Sequence, residues 1–222
     1  MSDSATRFWD GINIPAPGTY LLDQAHKRIG FVARHMMVSP VRGDFGEATA
    51  RIIVEEDPLR SSVTASIAAA SVSTGSADRD EHLKSPDFLD VDRYPTLEYR
   101  STGIKWQGNN DPIFFWARLR NQRPGRMGMP RKIPQQSDRT TGRFVLTGEL
   151  TIKGITRPVD LQVDFGGAGR DPYGQDIFGF SATAEIDRED YGLIWNVALE
   201  GGGVLVGKNV RLELAGEAIR QS

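Results

Sequence analysis

The chain contains no cysteine, which removes disulfide staples, thiolate metal sites and cysteine nucleophiles at once. Histidine is scarce, with only His26, His35 and His82 in 222 residues. No run approaches the ~18 apolar residues of a membrane-spanning helix. Met1 to Tyr20 is polar and broken by Pro15 and Pro17, without the basic start and apolar stretch of a secretory signal. An excess of one charge is also missing: 27 basic and 29 acidic side chains leave a net charge of -2, too little to attract nucleic acid or anionic membrane. From these absences we expect a cytoplasmic protein with no transmembrane segment, no nucleic-acid partner, no metal and no cofactor.

Helical periodicity is nearly absent, whereas alternation at period two recurs along the chain, the mark of strands with one buried face. Phe144, Leu146, Gly148, Leu150 and Ile152 share one face of 143–153. Val159, Leu161, Val163 and Phe165 do the same in 157–165, as do Phe178, Phe180, Ala182, Ala184 and Ile186 in 177–187, and Val210, Leu212, Leu214, Gly216 and Ala218 in 210–218. Further strands are expected at 20–24, 29–34, 43–55, 62–74 and 96–106, with turns at 153–156 and around Gly166, Gly167 and Gly169. One-sided burial suits antiparallel pairing. So many strands of similar length predict an all-β fold, an extended antiparallel eight-stranded barrel.

Two stretches break the alternation. Ala77 to Tyr94 mixes charge with Leu83, Phe88 and Leu89, predicting a short helical crossover that ends before Pro95. Residues 108–142 carry four prolines and seven basic against two acidic side chains, with aromatic residues at Phe114, Phe115 and Trp116. They read as an insertion between barrel strands. Residues 1–17 then form an N-terminal arm, and 18–220 the barrel domain.

A barrel of eight strands either fills with side chains or holds one small ligand. Gly148, Ala182, Ala184, Gly216, Ala218, Ala48 and Ala50 are small residues on otherwise greasy faces. They are consistent with an apolar cavity and equally with a tapered, packed barrel. A long hydrocarbon chain in such a cavity would gain about 0.8 kcal/mol per buried CH₂, on the order of 10 kcal/mol before ordering costs.

Several motifs resemble the YceI-like polyisoprenoid-binding family. They are Tyr20-Leu21-Leu22-Asp23-Gln24-Ala25-His26 followed by Phe31, His35 and Gly43-Asp44-Phe45; 79–91 with Tyr94-Pro95; the 146–159 stretch around Lys153-Gly154-Ile155-Thr156-Arg157-Pro158; and Arg188 with Tyr191-Gly192. In the family's order they cover about residues 18 to 220. The resemblance implies a lipocalin-like barrel that encloses a polyprenyl chain or an isoprenoid quinone. Three features depart from the pattern: Lys27 in place of a common serine, Leu89 in place of a common phenylalanine, and the long 108–142 segment.

The predicted function is non-catalytic carriage or storage of a long-chain isoprenoid lipid or quinone. The candidate ligand-binding residues are Phe31, Phe45, Ile52, Val54, Leu83, Phe88, Leu97, Tyr99, Leu146, Leu161, Phe180 and Leu212, with His26, His35, His82 and Arg188 as candidates for head-group contact. No residue is assigned to catalysis. For the histidines the competing reading is bracing of the barrel end, and for Arg188 it is pairing with Asp187 or Glu189. Two other functions compete: an enzyme acting on a lipid-like substrate through the histidines and Asp23, and an assembly module with a solid barrel. Whether the chain forms a homodimer is left open. The 108–142 segment reads as a surface loop, an oligomer contact, a lid or an attachment point for anionic lipid.

Overall fold

The computed structural model describes residues 4–36, 38–110, 141–198 and 205–221. The segment 111–140, with most of the expected insertion and its aromatic run, lies outside them. The strands are Thr6–Trp9 (β1), Ile12–Pro15 (β2), Gly18–His35 (β3), Ser39–Phe45 (β4), Ala48–Val54 (β5), Ser62–Ala68 (β6), Val72–Ser73 (β7), Thr96–Asn110 (β8), Thr141–Ile152 (β9), Ile155–Arg170 (β10), Asp176–Asp187 (β11) and Val206–Arg220 (β12), with one helix, Ala77–Lys84 (α1). From β3 onward successive strands pair antiparallel, β4–β5 and β6–β7 each acting as one broken strand, and β12 closes the ring onto β3. The result is a closed eight-stranded antiparallel barrel with, among the described residues, one short helix.

Several boundaries differ from expectation for local reasons. The expected strand 43–55 breaks at Gly46-Glu47, and 62–74 breaks at 69–71. The two breaks bind each other: Gly46 N–H donates to the Ser71 carbonyl at 3.1 Å, Glu47 N–H to Ser71 Oγ at 3.1 Å, and Ala68 N–H to the Glu47 carbonyl at 3.0 Å. Both strands thus bend at one corner. Conversely, the expected strands 20–24 and 29–34 are one strand, β3, carrying a bulge in which Asp23 Oδ1 accepts the Ala25 N–H at 2.9 Å. The turn expected around Gly166 to Gly169 lies at 171–175 instead, where Asp171 Oδ1 accepts the Tyr173 and Gln175 N–H groups. Gly167, at φ 110°, forms a bulge within β10.

Both ends of the barrel are covered. At the base, the expected N-terminal arm is a β1–β2 hairpin with Ile12 and Ile14 buried against Tyr20, Phe165 and Phe178. Trp9 meets the Trp106 ring at 5.2 Å. Arg7 donates to the Glu55 and Glu56 carbonyls. At the crown, Leu83, Leu89, Val91, Tyr191 and Leu193 close over the upper core.

Candidate functional site: an apolar axial cavity

Because side chains alternate across each strand, the inward set of every barrel strand converges on one axis. Around it lies a cavity of about 260 Å³. Along β9 the lining runs from Phe144 to Ile152, about 27 Å of strand, or about 20 Å along the axis of a barrel whose strands tilt ~40°. The cavity is therefore long and narrow. Its wall is hydrocarbon and aromatic ring apart from Thr49, Ser61 and Tyr99, and no charged side chain lines it among the described residues. Tyr99 is already committed: its hydroxyl donates to the Leu146 carbonyl at 3.0 Å, and burial raises its pKa.

Of the residues proposed from sequence, Phe31, Phe45, Ile52, Val54, Leu97, Tyr99, Leu146, Leu161, Phe180 and Leu212 line this cavity. Leu83 packs onto the upper core from the crown. Phe88 lies against the rings of His82, at 5.0 Å, and Trp195, at 5.4 Å, outside the cavity wall. The small residues divide between the two readings. Ala48, Ala50 and Ala182 border open space. Gly148 makes room for the Tyr99 ring, and a Cβ there would also lie 2.7 Å from the Arg100 carbonyl. Gly216 sits beneath Leu22 and Phe180, and Ala218 is wholly buried in the base cluster.

Ile14 and Pro15, which close the cavity at the base, were not among the expected residues. A signal for them exists: Asp10-Gly11 between Trp9 and Ile12 is a two-residue hairpin turn, with φ 44° and 87° in the structure. Phe165, Phe178 and Leu214 also line it, on faces the alternation had marked as inward.

The polar candidates lie elsewhere. Arg188 is buried at the crown, where Nε donates to the Gly207 carbonyl at 3.0 Å, Nη1 to that of Leu193 and Nη2 to that of Val206 at 3.4 Å. The expected partner Glu189 is at 4.0 Å, and it bonds Lys208 Nζ more closely, at 2.6 Å. Burial lowers the guanidinium pKa, opposed by Glu189 and Asp187. This cation holds backbone rather than a ligand. Nearby, burial pushes the Tyr191 hydroxyl up to about 12.

The three histidines do not converge. His26 is exposed on the β3 bulge, with Nδ1 2.6 Å from Asp23 Oδ2 and 3.9 Å from Glu217 Oε2. The hydrogen bond between His26 and Asp23 raises the histidine pKa and lowers that of the carboxyl. His35 is exposed at the far end of the same strand, about 30 Å of extended backbone away. His82 is on α1, 3.0 Å from Asp87 Oδ2 and edge-on to Trp195 at 4.4 Å. These positions assemble no shared acid–base centre.

A closed antiparallel barrel around an apolar axial cavity is the architecture of barrels that can enclose one small ligand. Residues 20–218 match the YceI-like domain, and the chain belongs to that family. It is 32% identical over 197 residues to a UPF0312 protein of Staphylococcus epidermidis, spanning 88% of this chain and 94% of that one. The fold matches the crystal structure of Burkholderia cenocepacia BcnA with a TM-score of 0.59 at 18% identity, over 88% of this chain and 98% of the other. It also matches a polyisoprenoid binding domain from Saccharophagus degradans, implicated in plant cell wall breakdown, with a TM-score of 0.59 at 13% identity, over 93% and 100% of the two chains.

Proposed function

We propose that this protein binds a long-chain isoprenoid, of the polyprenyl or isoprenoid-quinone type, with the tail along the barrel axis, and that it carries or stores this lipid without transforming it. The observation that carries the proposal is the narrow, uncharged cavity running most of the barrel's length. Such a space rewards a single flexible hydrocarbon chain, at about 0.8 kcal/mol per CH₂ removed from water. A charged head group would stay outside, because the wall offers it no counter-ion. The dispersal of the histidines favours binding over turnover, and the cavity itself argues against a solid assembly barrel. The polyisoprenoid binding domain of matching fold supports the ligand class.

The test is native mass spectrometry of protein purified from its source, followed by organic extraction. The expected result is a released prenyl lipid and a higher melting temperature on adding geranylgeraniol to emptied protein. Ala182→Phe, which fills the cavity, should abolish that gain while the fold persists. A reproducibly empty barrel, indifferent to geranylgeraniol, would sink the reading.

A further inference from the structure

The barrel ladder has a seam. β3 pairs with β5 only from Gly18 to Leu21, opposite Arg51 to Val54. Its pairing with β4 begins at Ile29, opposite Phe45. Between these ladders, Leu22 to Arg28 has no ladder partner on that side, and it faces the corner and first residues of β5, Gly46 to Ala50. The two sides are unequal because β3 bulges there, with residues 23–26 set against Glu217 alone on β12.

The cavity reaches this seam. A strand with a closed inner face offers alternate residues to the interior, yet Ala48, Thr49 and Ala50 all line the cavity, and Leu22 lines it from the opposite edge of the seam. Thr49 is exposed on the outer face, so the space that its neighbours border from inside reaches the edge of β5 there. Among the described residues two polar links tie this segment of β3 across: Lys27 Nζ donates to the Gly46 carbonyl at 2.9 Å, in the middle of the seam, and Arg28 Nε to Asp44 Oδ1 at 2.8 Å, where the β4 ladder resumes.

Other routes are better closed. The base is stoppered by buried Ile12 and Ile14, and the crown by buried Tyr191 and Leu193. The ladder is interrupted a second time where β8 runs past the start of β6. A hydrogen-bonded turn with buried Pro58 fills that gap, Asp57 accepting from Leu59 N–H and Ser61 N–H donating to the Pro58 carbonyl. Opening the seam breaks the exposed Lys27 hydrogen bond and at most the exposed Arg28–Asp44 pair at its upper end. Opening an end displaces several buried side chains.

Granting that the cavity carries a lipid, we infer that the ligand loads and leaves sideways, through the seam between Leu22–Arg28 and Gly46–Ala50, with Lys27 as its latch. Lys27→Ala removes the latch without touching the cavity wall. Release of the neutral dye Nile red from this variant to excess lipid vesicles should be about fivefold faster than from the unaltered protein, the effect of one net hydrogen bond, with the melting temperature lowered by no more than about 4 °C.

Because the chain has no cysteine, single cysteines can carry a bulky maleimide at chosen places. A label on Thr49→Cys should slow dye uptake severalfold, whereas labels on Phe8→Cys at the base, Leu59→Cys at the second gap and Ile194→Cys at the crown should not. Slowing by one of these three with none from Thr49→Cys, or release unaltered by Lys27→Ala, overturns the seam while leaving carriage intact. Failure of the unaltered protein to take up dye or geranylgeraniol overturns both.

Discussion

The two halves of the barrel wall are built differently. From β9 to β12 the strands are unbroken: β9 and β10 pair from Ile155–Ile152 to Phe165–Gly142, and β11 and β12 from Ile177–Ile219 to Asp187–Asn209. From β3 to β7 the wall is pieced together from short ladders, with paired breaks at 46–47 and 69–71 and only four residue pairs between β3 and β5. A hydrogen-bonded ladder has to be broken to open, so the unbroken half forms a rigid back. The pieced half holds the bends that let eight strands close, and with them the places where the wall can part.

If the unbroken half is held by close packing and buried hydrogen bonds, the largest effect should come from Arg188, which ties Leu193 to the first residues of β12. Arg188→Met leaves the carbonyls of Leu193 and Gly207 without their donor, a loss of about 3 kcal/mol expected from a lowered urea midpoint at unchanged slope. Next, two glycines compare the halves directly. A Cβ on Gly148 runs into Tyr99 and the Arg100 carbonyl, whereas one on Gly46 meets nothing closer than 3.9 Å. Gly148→Ala should cost about 2 kcal/mol and Gly46→Ala less than about 0.5 kcal/mol in the same urea experiment. Equal losses would mean that the pieced half is packed as tightly as the back. A smaller effect is expected of Asp176, whose carboxylate accepts from Arg170 at 2.8 Å and Arg220 at 3.3 Å at the base. Asp176→Asn should cost about 1 to 2 kcal/mol near neutral pH.

The contrast between halves also explains what could be read from the sequence. In the back, alternation runs unbroken over 143–153, 157–165, 177–187 and 210–218, so period two alone assigns Val159, Leu161, Phe180 and Leu212 to the interior, where the cavity lining has them. In the pieced half, the paired bends arise from contacts between distant segments, such as Ser71 with Gly46, which no local pattern encodes. Arg188 shows the same limit. Its residue type suggested an ion pair or a head group, but the carbonyls it holds belong to residues up to 19 positions away. The cavity itself was undecidable from composition, since glycines beneath aromatic rings and alanines beside empty space look alike in sequence.

The smallest effect concerns the bulge that widens the seam. Asp23 and His26 hold each other there, and their shifts have opposite signs. The carboxyl, lowered first by its hydrogen bond with His26, stabilises the folded chain above its unfolded value of about 3.9, and that stabilisation fades as the pH falls through its lower folded value. The imidazole, raised first by its hydrogen bond with Asp23, contributes fully below its unfolded value of about 6.5 and loses that contribution as the pH rises through its higher folded value. The pair therefore stabilises the bulge most between about pH 4 and 6.5, and salt should weaken the effect because His26 is exposed. A melting temperature followed from pH 5 to 9 should fall slightly across the upper limb in the natural chain. In His26→Gln that limb should vanish. If it persists unchanged, the alkaline dependence comes from another group and the bulge is held by its backbone alone.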